Sequence, residues 1–187
     1  MDNWSFNKNL AQRKENLETY GYNAYCLFTL TGKEVVLAKE LNKDFDDILA
    51  LPVLKMAHRS RMGEKSEVQV PLLDSYIFLF LPKDRDIREI RIERFSFRVL
   101  DNKNDGGRLV GGDLDYANFV KENNGLVSLS QAIKVNGIVR IVNGPLKKME
   151  GKIIKYDKHN RNCLIEIEFL GKTIATWLPF EYIDSTI

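Results

Sequence analysis

Ile138–Val139–Arg140–Ile141–Val142–Asn143–Gly144–Pro145–Leu146 is a β-branched strand running into an Asn-Gly-Pro turn, and Gly151 closes the segment. Val and Ile favour a pleated, half-buried strand, while Asn-Gly-Pro stops it. The same texture continues to the C-terminus. Ile165, Ile167 and Phe169 alternate with Glu166 and Glu168, which puts apolar and acidic side chains on opposite faces. Asp157–Lys158–His159–Asn160 and Gly171–Lys172 supply further turns. About five short strands in roughly 55 residues predict a small β-barrel. Its domain begins near Gln131, behind a short linker over 126–133 and with the domain proper at 134–187.

Upstream the texture is different. Residues 1–20 are polar and charged, and Trp4, Phe6, Leu10 and Leu17 are too sparse to predict a helix. A flexible or loosely docked extension is expected there. Residues 22–30 form an apolar, aromatic run with strand composition. Thr31–Gly32–Lys33–Glu34 has capping-box spacing, and Leu37, Ala38, Leu41, Phe45 and Ile48 follow on one helical face. Leu49 to Lys55 reads as a strand interrupted by Pro52, and Met56 to Glu67 as a polar hairpin or loop. Tyr76–Ile77–Phe78–Leu79–Phe80–Leu81 predicts a strand buried on both faces, stopped by Pro82. Asp84 is placed to cap a short second helix with Ile87 and Ile90 inward. Phe95–Ser96–Phe97–Arg98–Val99 alternates as a strand, Asn102–Gly112 reads as a loop, and Leu114, Ala117 and Val120 suit a third helix ending near Asn124–Gly125. The order β-α-β-β-α-β-α over 21–125 predicts an α+β sandwich with antiparallel character.

Hydrophobic content of 44% with 29% charged residues is that of a globular chain able to bury a core. No run approaches a membrane span, and the N-terminus lacks a signal-peptide apolar region, so a cytoplasmic protein without membrane contact is expected. Cys26 and Cys163 sit in strand-like runs and are expected to be buried free thiols. With no CxxC and only His58 and His159, neither a zinc site nor any other cofactor is expected. Asp44, Asp46 and Asp47 lack a partner with metal spacing. The glycines at 106–107 and 111–112 lack the strand–helix context of a phosphate cradle, and no nucleophile–base pair is evident. A binding protein is expected, not an enzyme.

Residues 132–187 carry nine Lys and Arg against six acids, and six of the nine lie between Lys147 and Arg161. Such a strip gives modest, salt-sensitive attraction to nucleic acid, or simply a solvated face.

Tyr25–Cys26–Leu27–Phe28–Thr29–Leu30–Thr31–Gly32–Lys33–Glu34 and Ser75–Tyr76–Ile77–Phe78–Leu79–Phe80 resemble the NGN domain of the NusG family of transcription elongation factors. Val139–Arg140–Ile141–Val142–Asn143–Gly144–Pro145 and Glu168–Phe169–Leu170–Gly171–Lys172 resemble that family's KOW domain, an SH3-like barrel. The resemblance implies a monomer whose NGN domain sits on the β′ clamp helices of RNA polymerase, with Phe28, Leu73, Tyr76 and Phe78 as contacts. Leu73–Asp74–Ser75 stands where the family has Phe-Pro-Gly. Leu146, Met149 and Leu170 occupy the KOW positions implied to meet Rho or the ribosomal protein NusE. The texture is closest to specialised antiterminators of the LoaP type, which implies a structured RNA leader as KOW partner. Lys147, Lys148, Lys152, Lys155, Lys158, Arg161 and Lys172 are the candidate RNA contacts, and Arg59 and Arg61 the candidates for non-template DNA. A housekeeping NusG coupling polymerase to Rho or the ribosome stands as the alternative, and a KOW-containing ribosomal or RNA-modifying accessory protein as a more distant one.

Overall fold

The computed structural model describes residues 3–61, 64–91, 95–100, 106–149 and 152–183, without the side chains of 60, 61, 64 and 65. Gly151, Met62, Gly63 and residues 102–105 of the expected loop lie outside the described residues. The chain is a mixed α+β structure that divides into two compact units, 1–53 with 73–125 and 54–72 with 126–187. Among the described residues no helix is long and apolar enough to cross a membrane.

In the first unit β1 (Tyr22–Thr29), β2 (Leu49–Pro52), β5 (Tyr76–Pro82) and β6 (Phe97–Val99) form a four-stranded sheet in the order β2-β5-β1-β6. All of its pairings are antiparallel. Ile77 to Leu81 are all buried, so both faces of β5 are covered, as a continuous apolar run requires. Helix α3 (Gly111–Glu122) covers the Phe78 and Phe80 face: Tyr116 meets Phe78 edge-on at 5.7 Å, and Lys121 Nζ lies 5.8 Å from the Phe80 ring centre.

Residues 3–20 are not a loose extension. Helix α1 (Lys8–Tyr20) starts where the Asn7 side chain accepts from Leu10 N at 3.0 Å, and it buries Leu10 and Leu17. Its polar residues are anchors. Arg13 Nη1 donates to the carbonyls of Asn42 and Phe45, both at 2.7 Å, at the C-terminal end of α2 (Glu34–Asp44), where helix carbonyls lack intrahelical partners. Lys14 Nζ donates to Asn124 Oδ1, and the buried Trp4 donates from its indole nitrogen to Asn124 O at 2.8 Å. A helix with two apolar anchors is stabilised by packing and caps more than by propensity.

The capping box expected at Thr31–Glu34 does not form. Lys33 takes the N-cap position with no side-chain bond, and Glu34 turns inward to accept from Ser75 N at 2.7 Å. The Thr31 and Ser75 hydroxyls share a hydrogen bond of 2.7 Å. Ser75 has φ 71°, a left-handed conformation uncommon for a non-glycine residue, and Glu34 steadies the turn that holds it. Glu34→Ala leaves this buried N–H without its acceptor. It is expected to cost about 1–3 kcal/mol in denaturant unfolding, with Glu34→Gln costing less because an acceptor oxygen remains. The expected second helix is a single 3₁₀ turn, Ile87–Glu89, and Asp86 rather than Asp84 caps it by accepting from Arg88 N.

The second unit contains an antiparallel hairpin, β3 (Leu54–Arg61) with β4 (Glu64–Pro71), joined by β7 (Leu126–Val127). Its larger sheet has the order β10-β11-β12-β8-β9, from β8 (Ser130–Val135), β9 (Ile138–Asn143), β10 (Ile153–Asp157), β11 (Asn162–Phe169) and β12 (Lys172–Tyr182). The span 126–133 therefore holds strands where a linker is expected. All pairings in the larger sheet are antiparallel except β12 with β8. The alternation expected in β11 is present: Cys163, Ile165, Ile167 and Phe169 are buried, Glu166 and Glu168 exposed. At the Asn-Gly-Pro turn, Gly144 has φ 89° and a side chain there would meet Ser130 Cα at 2.8 Å, so only glycine fits. Pro145 then opens a one-turn helix, α4 (Pro145–Lys148), whose Leu146 N donates to the buried Ser130 hydroxyl. Cys26 and Cys163 are free and buried. Burial pushes the Cys163 thiol up to about 12, so it is not a reactive thiolate.

Candidate partner-docking surface and basic face

Two surfaces emerge, one in each unit. In the first, strand register sets Tyr76 opposite Phe28 and Phe28 opposite Arg98, a row across β5, β1 and β6. The Phe28 and Tyr76 rings meet edge-on with centroids 5.5 Å apart, and the Arg98 guanidinium lies 5.0 Å from the Phe28 ring centre. The two aromatics are half-buried and Arg98 is exposed. Alternation puts Tyr76 on the same face as Phe78, yet the two have different surroundings. The first turn of α3 reaches the Cys26–Phe78 row, where the Asp113 charge acts on Cys26 and Tyr116 packs on Phe78. One row further on lie Phe28 and Tyr76. A half-buried aromatic pair capped by a guanidinium has the composition of a contact surface.

Of the four residues expected to meet a partner, Phe28 and Tyr76 thus come together. Leu73 is half-buried in the turn before β5, where its N–H donates to Val53 O at 3.3 Å. Phe78 is a correction: it is fully buried beneath Tyr116 and belongs to the core. Arg98 joins Phe28 and Tyr76. The alternation over 95–99 sets it apart from Phe97 and Val99, but only the pairing of β6 with β1 puts it on Phe28.

In the second unit all seven candidate basic residues are exposed, but they do not form one strip. Lys158 and Arg161 lie in the turn before β11, whereas Lys172 pairs with Phe169 at the far end of that strand. Those ends are roughly 20 Å apart. Exposed Glu166 and Glu168 lie between them on β11. Lys147 and Lys148 sit on α4, Lys152 just before β10, and Lys155 on β10 opposite Leu164. Lys155, Lys158 and Arg161 therefore share one end of the β10–β11 hairpin, while Lys172 stands apart behind two carboxylates.

The turn that carries Lys158 and Arg161 is built by Asp157. Its carboxylate accepts from His159 N, Asn160 N and Asn160 Nδ2, and these bonds hold it below the usual carboxylate range. Lys158 Nζ donates to Gly137 O, and the Arg161 guanidinium lies 5.9 Å from the Tyr182 ring centre.

Leu146 and Met149 are a second correction. Both are buried, so neither is an open contact for Rho or NusE, while Leu170 is half-buried with φ 49°. Arg59 is exposed on β3, and the Arg61 side chain lies outside the described residues. Among the described residues no group of three or more His, Cys, Asp or Glu could hold a metal ion. An exposed Trp177 stands on β12. The chain matches no protein-family model and no curated protein.

Proposed function

We propose that this chain is a NusG-type transcription elongation and antitermination factor, with an NGN-like first unit that binds RNA polymerase at the β′ clamp helices and a KOW-like barrel that binds nascent RNA. The observation that carries the reading is the Tyr76–Phe28–Arg98 row, which holds a half-buried aromatic pair beside an exposed Arg98 at the position that the NusG resemblance implies for polymerase. Ser75 adds support. It adopts φ 71° where the family has glycine, so the turn before the docking strand keeps a glycine-like backbone although Leu73–Asp74–Ser75 replaces Phe-Pro-Gly.

For the barrel, burial of Leu146 and Met149 removes two of the three positions implied for Rho or NusE, while the cations at the β10–β11 turn stay exposed. That favours the RNA-directed reading over a housekeeping coupling factor. The test is transcription in vitro by bacterial RNA polymerase across a terminator, alongside co-purification of the full chain with the polymerase core. The chain is expected to co-purify and to raise read-through. Absence of association with polymerase would overturn the reading.

A further inference from the structure

The chain has two tryptophans in opposite settings: Trp4 is buried, and Trp177 is 38% exposed. Strand register places Trp177 in an outward row, Lys155 opposite Leu164 and Leu164 opposite Trp177. Its backbone is held firmly. Lys55 Nζ donates to Trp177 O at 2.8 Å and to Thr176 Oγ1 at 2.9 Å, and Thr176 is itself buried opposite Ile165. The next outward residue on β12 in one direction is Ala175, too small to cover the indole, opposite Glu166. In the other direction Pro179 stands opposite Asn162, and the turn bearing Lys158 and Arg161 lies just beyond.

The outer face of the β10–β12 sheet is therefore polarised along the strands. One end carries Lys155, with Lys158 and Arg161 in the turn beyond it, where Lys158 Nζ donates to Gly137 O; the acids there are Asp157, taken up within its own turn, and exposed Glu181, two residues past Pro179 on β12. The other end carries Glu166 and Glu168. Trp177 stands on the boundary. A flat, rigid aromatic beside several cations satisfies the two needs of an unpaired nucleotide, a π-face for the base and positive charge for the phosphates. An apolar protein partner would have no use for three cations gathered at one end of the patch.

We propose that Trp177 is a stacking platform for an unpaired RNA base, with Lys155, Lys158 and Arg161 holding the adjoining phosphates. The strand runs from Trp177 towards the β10–β11 turn and away from Glu166 and Glu168. This rests on the RNA-directed reading of the barrel and deepens it: the ligand is a looped or single-stranded segment, not a continuous duplex.

The test titrates the full chain with a short single-stranded oligoribonucleotide and with a duplex RNA of equal length, following tryptophan fluorescence and the anisotropy of a label on the RNA. The single strand is expected to quench the exposed tryptophan, and the duplex to bind more weakly without quenching. Trp177→Leu is expected to weaken single-strand binding about tenfold while leaving its salt dependence unchanged, and Trp177→Tyr to restore most of the affinity. Lys158→Ala combined with Arg161→Ala is expected to flatten the salt dependence by about two phosphate contacts. RNA binding that survives Trp177→Leu at full strength would overturn the platform and leave the broader reading standing. Absence of RNA binding by the unaltered chain at low salt would overturn both. A Trp177→Leu variant that keeps RNA affinity but no longer associates with a protein of the transcription complex would make Trp177 a protein contact instead.

Discussion

Replacing Trp4 by Ala is expected to destabilise the first unit by about 3–5 kcal/mol, although Trp4 lies in a stretch whose composition suggests a loose tail. The indole is 4% exposed, donates to Asn124 O, and would lie 3.1 Å from a side chain placed at Gly125. Removing it leaves a cavity and an unpaired carbonyl at the C-terminal end of α3. It also loosens the start of α1, whose remaining buried apolar anchors are Leu10 and Leu17. The measurement is urea unfolding followed by circular dichroism. Trp4→Phe separates the two contributions: it keeps most of the packing and loses the N–H bond, so about 1 kcal/mol is expected. A neutral Trp4→Ala would mean that α1 does not stabilise the unit.

Phe28→Ala with Tyr76→Ala is expected to weaken association with RNA polymerase by at least about thirtyfold, the effect of losing a central aromatic hot spot. Both rings are half-buried, and each supports the other edge-on, so the pair is expected to cost the fold only about 1–2 kcal/mol. Phe78→Ala, one row along the same strand face, is expected to do the reverse. It cuts into the core beneath Tyr116, costs about 3–5 kcal/mol, and lowers binding only through the unfolded fraction. Binding measured at a temperature where every variant is folded, with stability measured in parallel, separates the two. Equal loss from Phe78→Ala and from the Phe28–Tyr76 pair, at equal stability, would show that the half-buried row is not the contact.

The contrast between Tyr76 and Phe78 shows where sequence reading stops. Both are aromatic, both lie on β5, and a two-residue spacing puts them on one face. Their strand is legible because six consecutive apolar residues ended by Pro82 leave little alternative. Which of the two is open depends on where α3 begins relative to the β1–β5 register, a relation between residues about 35 positions apart that no local pattern encodes.

α1 makes the same point from the other side. Its apolar periodicity is thin because Arg13 and Lys14 do anchoring that apolar residues do elsewhere, and their partners, the carbonyls of Asn42 and Phe45 and the side chain of Asn124, exist only once α2 and α3 have packed. The Glu34 capping box fails for a similar reason, because the buried N–H of Ser75 outcompetes the helix's own first turn.

By itself the chain determined strands β1, β5 and β11, helices α2 and α3 and the Asn143–Gly144–Pro145 turn, because strand alternation, helical spacing and positive-φ glycine act over a few residues. Ile165, Ile167 and Phe169 face inward as their alternation with glutamates requires, and Gly144 occupies a site where a side chain would strike Ser130. Only the tertiary structure decided how those pieces become surfaces. Register set Lys158 and Arg161 before one end of β11 and Lys172 at the other, burial took Phe78, Leu146 and Met149 out of reach, and the β10–β11–β12 pairing set Trp177 in line with Lys155. Facing direction is a local property of the backbone. Which faces stay uncovered, and which charges meet, is set by packing between distant segments.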